Sequence, residues 1–503
     1  MKKKTLSVLL MLVLALALAL CGCAGERQGE STESQITVGI PQDVEDSLDP
    51  HKTVAAGTEE VFFNMFEGLM KADSDGNLNP AVASDYDVSK DMKTYTFILR
   101  EGVKFHDGSP VTVEDVKYSI ERCADTSEGA PLVAAFSNIE SVEATDDKTI
   151  VITLKESNPD FLASMDTAII PASNATPESV AIGTGPYKFV SHTPQESFIM
   201  EKFDEYWGEA AHIEKVILKV CANTDTIVMN LNGGTIDMFS RLTATQVSQL
   251  SDKFNVLEGT MNLVQAMYLN NGVKPFDDVR VRQALCYAID KQYILDMTSD
   301  GHGTPIGSSM FPAFGKYYMP ELAEYYTKDV EKAKALLKEA GYPDGFSFTI
   351  KVPSNYTPHV ETAQVLAEEL KAINVNAKIE LIEWETWVSD VYAGRQFEAT
   401  VVGLEASTVT ASALLLRFNT DNSKNFVNYS NPDYDAAYQR AESSIDDAER
   451  TAAYKECQQI LTETAVNVYI QDMAEFVAIN KKYAGYEFYP LYVQDYSKLY
   501  IVE

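Results

Sequence analysis

Residues Tyr95–Arg122 read YTFILREGVKFHDGSPVTVEDVKYSIER. From Thr94 to Leu99 the apolar residues Tyr95, Phe97 and Leu99 fall on one face, the period of a half-buried strand. Asp107-Gly108 marks a tight turn. Thr112, followed three residues later by Asp115, forms a variant capping box ahead of Val116 and Ile120 at helical spacing. The segment is therefore a strand, a turn and a capped helix, and its Arg100, His106 and Asp107 read as scaffold. The same alternation extends in both directions. Ile150, Ile152 and Leu154 share a face, as do Val216, Leu218 and Val220 against Lys215 and Lys219. Asp278 precedes a helix carrying Val281, Ala284, Leu285, Ala288 and Ile289. A further stripe of Val330, Ala333, Leu336, Leu337 and Ala340 stops at Gly341, with Pro343 just beyond. The chain from Ile36 onward is mixed α/β, with no repeat period.

At 503 residues the chain is long enough for two or three domains. Hydrophobic residues make up 45% and charged residues 23%, values that permit a buried core and exclude wholesale disorder. Forty-one Lys and Arg against 74 Asp and Glu leave a net charge of −33. Such a surface repels phosphate backbones, so nucleic acid is excluded as a partner class.

Lys2–Lys4 precede an uncharged run from Thr5 to Leu20, the order of an export signal. As a helix those 16 residues reach about 24 Å at ~1.5 Å per residue, short of the roughly 30 Å hydrocarbon core. Removing residues 1–22 takes away three Lys and no acid, which moves the charge from −33 to −36. Ala24–Gln35 (AGERQGESTESQ) has no large apolar side chain and reads as a flexible tether, of about 20 Å by coil statistics. Cys123, Cys221, Cys286 and Cys457 are widely spaced, without CxxC, and are expected as free buried thiols rather than metal ligands or bridges. No GxSxG or HExxH occurs, and the six histidines show no ligand spacing. No catalytic residue, metal site or cofactor is expected, and a membrane-anchored hydrolase is a remote alternative.

Leu20-Cys21-Gly22-Cys23 resembles the lipobox of bacterial lipoproteins, which would make Cys23 the lipidated first residue of the mature chain. In the order SLDPHKT (from Ser47), FEGL (from Phe66), the Tyr95–Arg122 block, GTGPYKF (from Gly183), DEYWG (from Asp204), FDDVRVRQALCYAIDKQYI (Phe276–Ile294), EKAKALLKEAGYPDG (Glu331–Gly345) and NPDYDAAY (from Asn431), the chain resembles bacterial extracellular solute-binding proteins of family 5. These are the oligopeptide- and dipeptide-binding receptors of ABC importers. The resemblance implies an α/β, two-lobed periplasmic-binding-protein-like clamp (type II, cluster C). Lobe I would comprise 36–70, 184–269 and 470–503, with an inserted subdomain at 71–183; lobe II would be 270–469. The signal would be 1–22 and the lipidated cysteine with its tether 23–35. Hinge motion would centre on Asn270, Asn271, Ile470 and Gln471.

The implied function is capture of di- or oligopeptides and delivery to a membrane permease, by a monomer held extracytoplasmically through its lipid anchor. The alternative solutes used by relatives are nickel complexes, haem, opine-like compounds and oligosaccharides. Peptide receptors of this family often carry an Asp, in a W-x-x-D-Y-x-D-P-like segment, that pairs with the ligand ammonium. This chain reads GLEASTVTASALLLRF over Gly403–Phe418, with Ser407 at that Asp's place and Thr410-Ala411 at that of the Asp-Pro. Glu405 is the candidate substitute and Arg417 a candidate carboxylate partner. Ala55, Ala56, Gly57 and Thr58 correspond to a cleft-facing family segment, and Trp384 and Trp387 are candidates for stacking on the solute.

Overall fold

The computed structural model describes residues 34–502 apart from 45, 46, 54, 128, 222, 224, 225 and 407, together with all side chains of its helices and strands but that of Ala56. The expected signal, Cys23, all but the last two tether positions, and Ser407 lie outside the described residues. The account below concerns the unit Gln35–Glu503. Gln35 already opens a strand, one residue before the expected start of the folded body.

Three sheets organise this unit. A seven-stranded sheet runs in the order Phe254–Thr260, Ala474–Asn480, Met238–Leu242, Gln35–Ile40, Lys215–Val220, Ser197–Lys202, Tyr187–Thr193. Val216 and Leu218 are fully buried in it, as the alternation predicts. A four-stranded antiparallel sheet of Ala83–Val88, Thr94–Leu99, Thr149–Leu154 and Ile139–Ala144 forms the inserted layer. There Tyr95 pairs with Ile152 and Phe97 with Ile150, and the helix Val113–Ala124 buries Val116, Ile120 and Cys123 in the same core. Its capping box is formed as read, with Thr112 and Asp115 satisfying each other's backbone amides.

The motifs of the first half meet at two buried carboxylates. Glu67 of FEGL accepts from Tyr206 Oη (2.7 Å) and Trp207 Nε1 (2.8 Å) of DEYWG, from Lys71 Nζ (3.2 Å) and from Thr184 Oγ1 (3.4 Å) of GTGP. Asp49 of SLDPHKT takes a two-pronged bond from Arg122 at 2.5 and 3.0 Å. Burial pushes the Asp49 carboxyl up, but the Arg122 guanidinium prevails and holds it below its ordinary value. Arg100 donates to the carbonyls of Ala81, Pro80 and Ala83 and lies 4.2 Å over the Trp207 ring. His106 Nδ1 accepts from Gly183 N–H, so Nε2 carries the proton and donates to Gly185 O at 3.1 Å. Burial pushes His106 down to about 4, which keeps it neutral. Arg100 and His106 are scaffold, as the sequence implies.

The third sheet, of six strands, runs Thr304–Pro305, Asn467–Asp472, Leu263–Leu269, Ala399–Glu405, Ser347–Pro353, Asn376–Ile382. It is covered on both faces. Val264, Ala266 and Tyr268 pack with Trp387, Phe426 and Tyr434, whereas Met267 and Leu269 pack with Phe276, Leu285 and Leu366. Arg280 pairs with Asp278, whereas Arg282 has no carboxylate partner among the described residues. It caps the carbonyls of Phe276, Thr464 and Ala465 instead, and burial lowers its pKa. All four cysteines described are free and buried. No helix among the described residues is long and apolar enough to cross a membrane.

The main chain passes between the seven- and six-stranded sheets at residues 260–263 and 472–474. These passages lie at the opposite end of Leu263–Leu269 from Asn270 and Asn271. Both asparagines are tied down inside the second lobe: Asn270 Nδ2 donates to Phe397 O at 2.9 Å and Asn271 Nδ2 to Val466 O at 3.1 Å. Ile470 and Gln471 are buried within a strand of that same sheet. The crossing is thus displaced from the expected positions, because Leu263–Leu269 pairs wholly with second-lobe strands.

Two glycines near the parallel strands Ser347–Pro353 and Asn376–Ile382 differ instructively. Both Gly341 and Gly345 have positive φ (+92° and +76°), but a Cβ on Gly341 meets nothing whereas one on Gly345 would lie 1.9 Å from Asn374 O. Gly341→Ala should cost about 1 kcal/mol from backbone strain alone. Gly345→Ala should cost at least ~2 kcal/mol, since the backbone must also move. Urea denaturation of the two variants checks the order.

Candidate ligand cleft

Residues of both lobes converge on one cleft. From the first lobe, Arg241 lies at a register shift near the end of the strand Met238–Leu242, with φ +58°. Its guanidinium bonds both Glu60 oxygens at 2.9 and 3.3 Å, lies 3.8 Å from Glu475 Oε1 and sits 3.6 Å over the Tyr492 ring. Burial opposes the Arg241 charge, but Glu60, Tyr492 and Glu475 together hold it firmly protonated. Gln494 Nε2 reinforces the arrangement, donating to Glu60 at 2.6 Å and to Ser240 Oγ at 2.7 Å. Burial, against the pull of Arg241, pushes Glu475 up to about 7.

From the second lobe, Glu405 ends the strand Ala399–Glu405. Its side chain is solvent-exposed; partial desolvation in the cleft raises its pKa, while Arg241 and Arg417 pull it back. It makes no hydrogen bond or ion pair among the described residues. Arg417 is half-buried. Nη1 donates to Tyr392 Oη at 2.9 Å, Nε is buried with no partner, and no carboxylate stands within 4 Å among the described residues. A carboxylate and a guanidinium thus line one cleft without satisfying each other, and the buried Nε of Arg417 is left without a protein partner among the described residues.

Other expected contacts fall elsewhere. Trp387 is 3% exposed, donates from Nε1 to Thr400 Oγ1 at 2.9 Å and is core, not pocket wall. Trp384 stacks on its outer face at 5.0 Å and remains partly exposed, with Tyr356 against its edge. Thr58 is fully buried in the helix Ala56–Phe62 and faces inward. Ala55 is the N-cap of that helix, and a Cβ at Gly57 would meet nothing within 4 Å, so this segment does offer room.

The lobes touch through the loop that replaces the expected anchor segment. Thr408, Thr410 and Ser412 form a hydroxyl ladder at 3.0 and 3.1 Å, and Ser412 Oγ donates to Asp160 Oδ2 of the inserted layer at 2.6 Å. Arg241, Glu60, Glu475 and Asp160 carry no motif. The positive-φ arginine, the register shift and the lobe contact exist only once strands distant in sequence have paired, so nothing local announced them.

The sequence profile of bacterial extracellular solute-binding proteins, family 5 (middle region), matches residues 77–426. The chain belongs to this family. It is 29% identical over 480 residues to the glutathione-binding protein GsiB of Pectobacterium atrosepticum, covering 88% of this chain and 90% of that one. Among solved structures it is similar to the ABC transporter substrate-binding protein CtaP of Listeria monocytogenes, with TM-score 0.84, 25% identity and coverage of 93% and 99%. It is similar also to DppA of Helicobacter pylori in complex with the peptide STSA, with TM-score 0.78, 26% identity and coverage of 93% and 98%. The two-lobed α/β clamp is therefore the architecture of this family member, and its class is that of solute receptors.

At the crossing between the lobes, Asp472 is fully buried, and its Oδ1 accepts from Leu263 N–H at 3.1 Å. Burial pushes its carboxyl up to about 7, although the amides of Leu263 and Asn262 pull it down. A carboxyl with a raised folded pKa favours the protonated fold. Its contribution to stability is therefore most favourable below the unfolded value near 3.8 and declines as pH rises to about 7. Asp472→Asn should remove that decline, so the stability difference, variant minus wild type, should grow between pH 4 and 7 and then level off. Chemical denaturation across that range checks it.

Proposed function

We propose that this chain is the substrate-binding lipoprotein of an ABC importer, capturing short peptides between its lobes and delivering them to a membrane permease. The observation that carries this reading is the unpaired couple Glu405 and Arg417 in the inter-lobe cleft of a solute-receptor fold. A peptide brings an ammonium and a carboxylate at its two ends, and each would supply what one of these side chains lacks. Relatives named for binding glutathione and a structural neighbour holding the peptide STSA support the class.

The mechanism is a shift of population. A peptide gripped by both lobes contributes contacts to the closed form that the open form lacks, and that difference alone drives closure. The hinge in this reading is the paired passage at 260–263 and 472–474, where Met261 N–H donates to Met473 O at 2.8 Å. The permease would distinguish loaded from empty receptor by the closed shape, and the solute would leave chemically unchanged. The lipobox at Cys23 would hold the receptor at the outer face of the cell membrane as a monomer.

Native mass spectrometry of protein purified without refolding should show co-purified masses spaced by amino-acid residues. By calorimetry, Glu405→Gln and Arg417→Met should each weaken peptide binding by about 10- to 100-fold, the equivalent of ~1.5–3 kcal/mol for a hydrogen bond to a charged group. Conversion of peptides on incubation, or undiminished affinity in both variants, would contradict the reading.

A further inference from the structure

A third charge in the cleft has no partner. Asp166 lies at the end of the short helical turn Phe161–Asp166 of the inserted layer. Gly68 permits its position: a Cβ there would stand 2.3 Å from Met165 O and 2.7 Å from Asp166 Cα, so only glycine lets the two backbones pass this closely. Asp166 is solvent-exposed and lines an open cavity of ≈ 40 Å³ between the lobes. Beyond its own amide, its carboxylate makes no hydrogen bond or ion pair among the described residues.

The walls of that cavity have a definite chemistry. Leu78 from the first lobe, Leu491 from the C-terminal segment and Val409 from the second lobe give it aliphatic sides, and Thr408 and Thr410 add hydroxyls. On this scale of volume a water needs about 10–15 Å³, so the space admits the end of one side chain rather than a whole solute. Aliphatic walls leading to a carboxylate suit a side chain with an apolar stem and a cationic tip. An acidic side chain would meet Asp166 and the neighbouring charge of Glu59, and a purely aliphatic one would strip water from Asp166 and return nothing.

We infer that this cavity receives a basic side chain of the bound peptide, with Asp166 as the specificity-determining residue, so that the preferred solutes are short peptides containing lysine or arginine. The inference rests on the peptide-receptor reading given above and adds the chemistry of one side-chain pocket to it. Desolvation, added to by the charge of Glu59, pushes the Asp166 carboxyl up to about 7, a shift that a nearby cation would reverse. An arriving ammonium or guanidinium would restore its ionised form.

The test is calorimetric titration of the full chain with tripeptides of alanine in which lysine, glutamate or leucine replaces each position in turn. The tightest lysine peptide should bind at least 10-fold more tightly than the glutamate or leucine peptide of the same register, and Asp166→Asn should bring that ratio close to one. The wild-type ratio is decisive even if the variant folds poorly. Alanine tripeptide binding without any lysine preference would overturn the basic pocket and leave the peptide receptor standing. Absence of binding by every peptide, whatever its charge, would overturn both. A lysine preference that persists undiminished in a folded Asp166→Asn protein would remove Asp166 from the role.

Discussion

The two lobes are joined where Met261 N–H meets Met473 O and where the Asp472 carboxylate receives the amide of Leu263. Everything the cleft does depends on this tie. Two separate strands leave the seven-stranded sheet and enter the six-stranded one side by side, so any rotation of one lobe must bend both passages together. A single passage would allow twisting in many directions, whereas a coupled pair restricts it.

Charge balance in the cleft separates structural from available groups. Arg241 is consumed within its own lobe by Glu60, Glu475 and Tyr492, and serves as a fixed positive post that keeps this wall from becoming wholly acidic. Glu405, Arg417 and Asp166 have no such engagement. In a chain with a net charge of −33, an enclosed arginine without a carboxylate is the less expected of these, since acids are plentiful and none among the described residues has been placed beside it.

Much of the scaffold was legible because it is local. The alternation of Tyr95, Phe97 and Leu99 and the capping pair Thr112 and Asp115 appear in the structure as the spacing implies. The short motifs FEGL, GTGP and DEYWG were visible as text, but their meaning was not: they recur together because Glu67, Thr184, Tyr206 and Trp207 are one hydrogen-bonded knot. The cleft was legible only in outline. Glu405 and Arg417 stand where the anchor segment would lie, but Trp387 has the composition of a stacking platform and the environment of a core residue, a difference set by Thr400 thirteen positions away. Asp166 gave no signal, because its isolation is a property of the surrounding fold and not of its neighbours in sequence.

The four cysteines carry a consequence for the surroundings in which such a protein can work. Burial pushes Cys123, Cys286 and Cys457 up to about 12 and raises Cys221 as well, so almost no thiolate is present at neutral pH. Thiolate is the species that peroxides attack and that exchanges with other disulfides. A fold whose four described thiols are buried and un-ionised needs no disulfide-forming catalyst to place them.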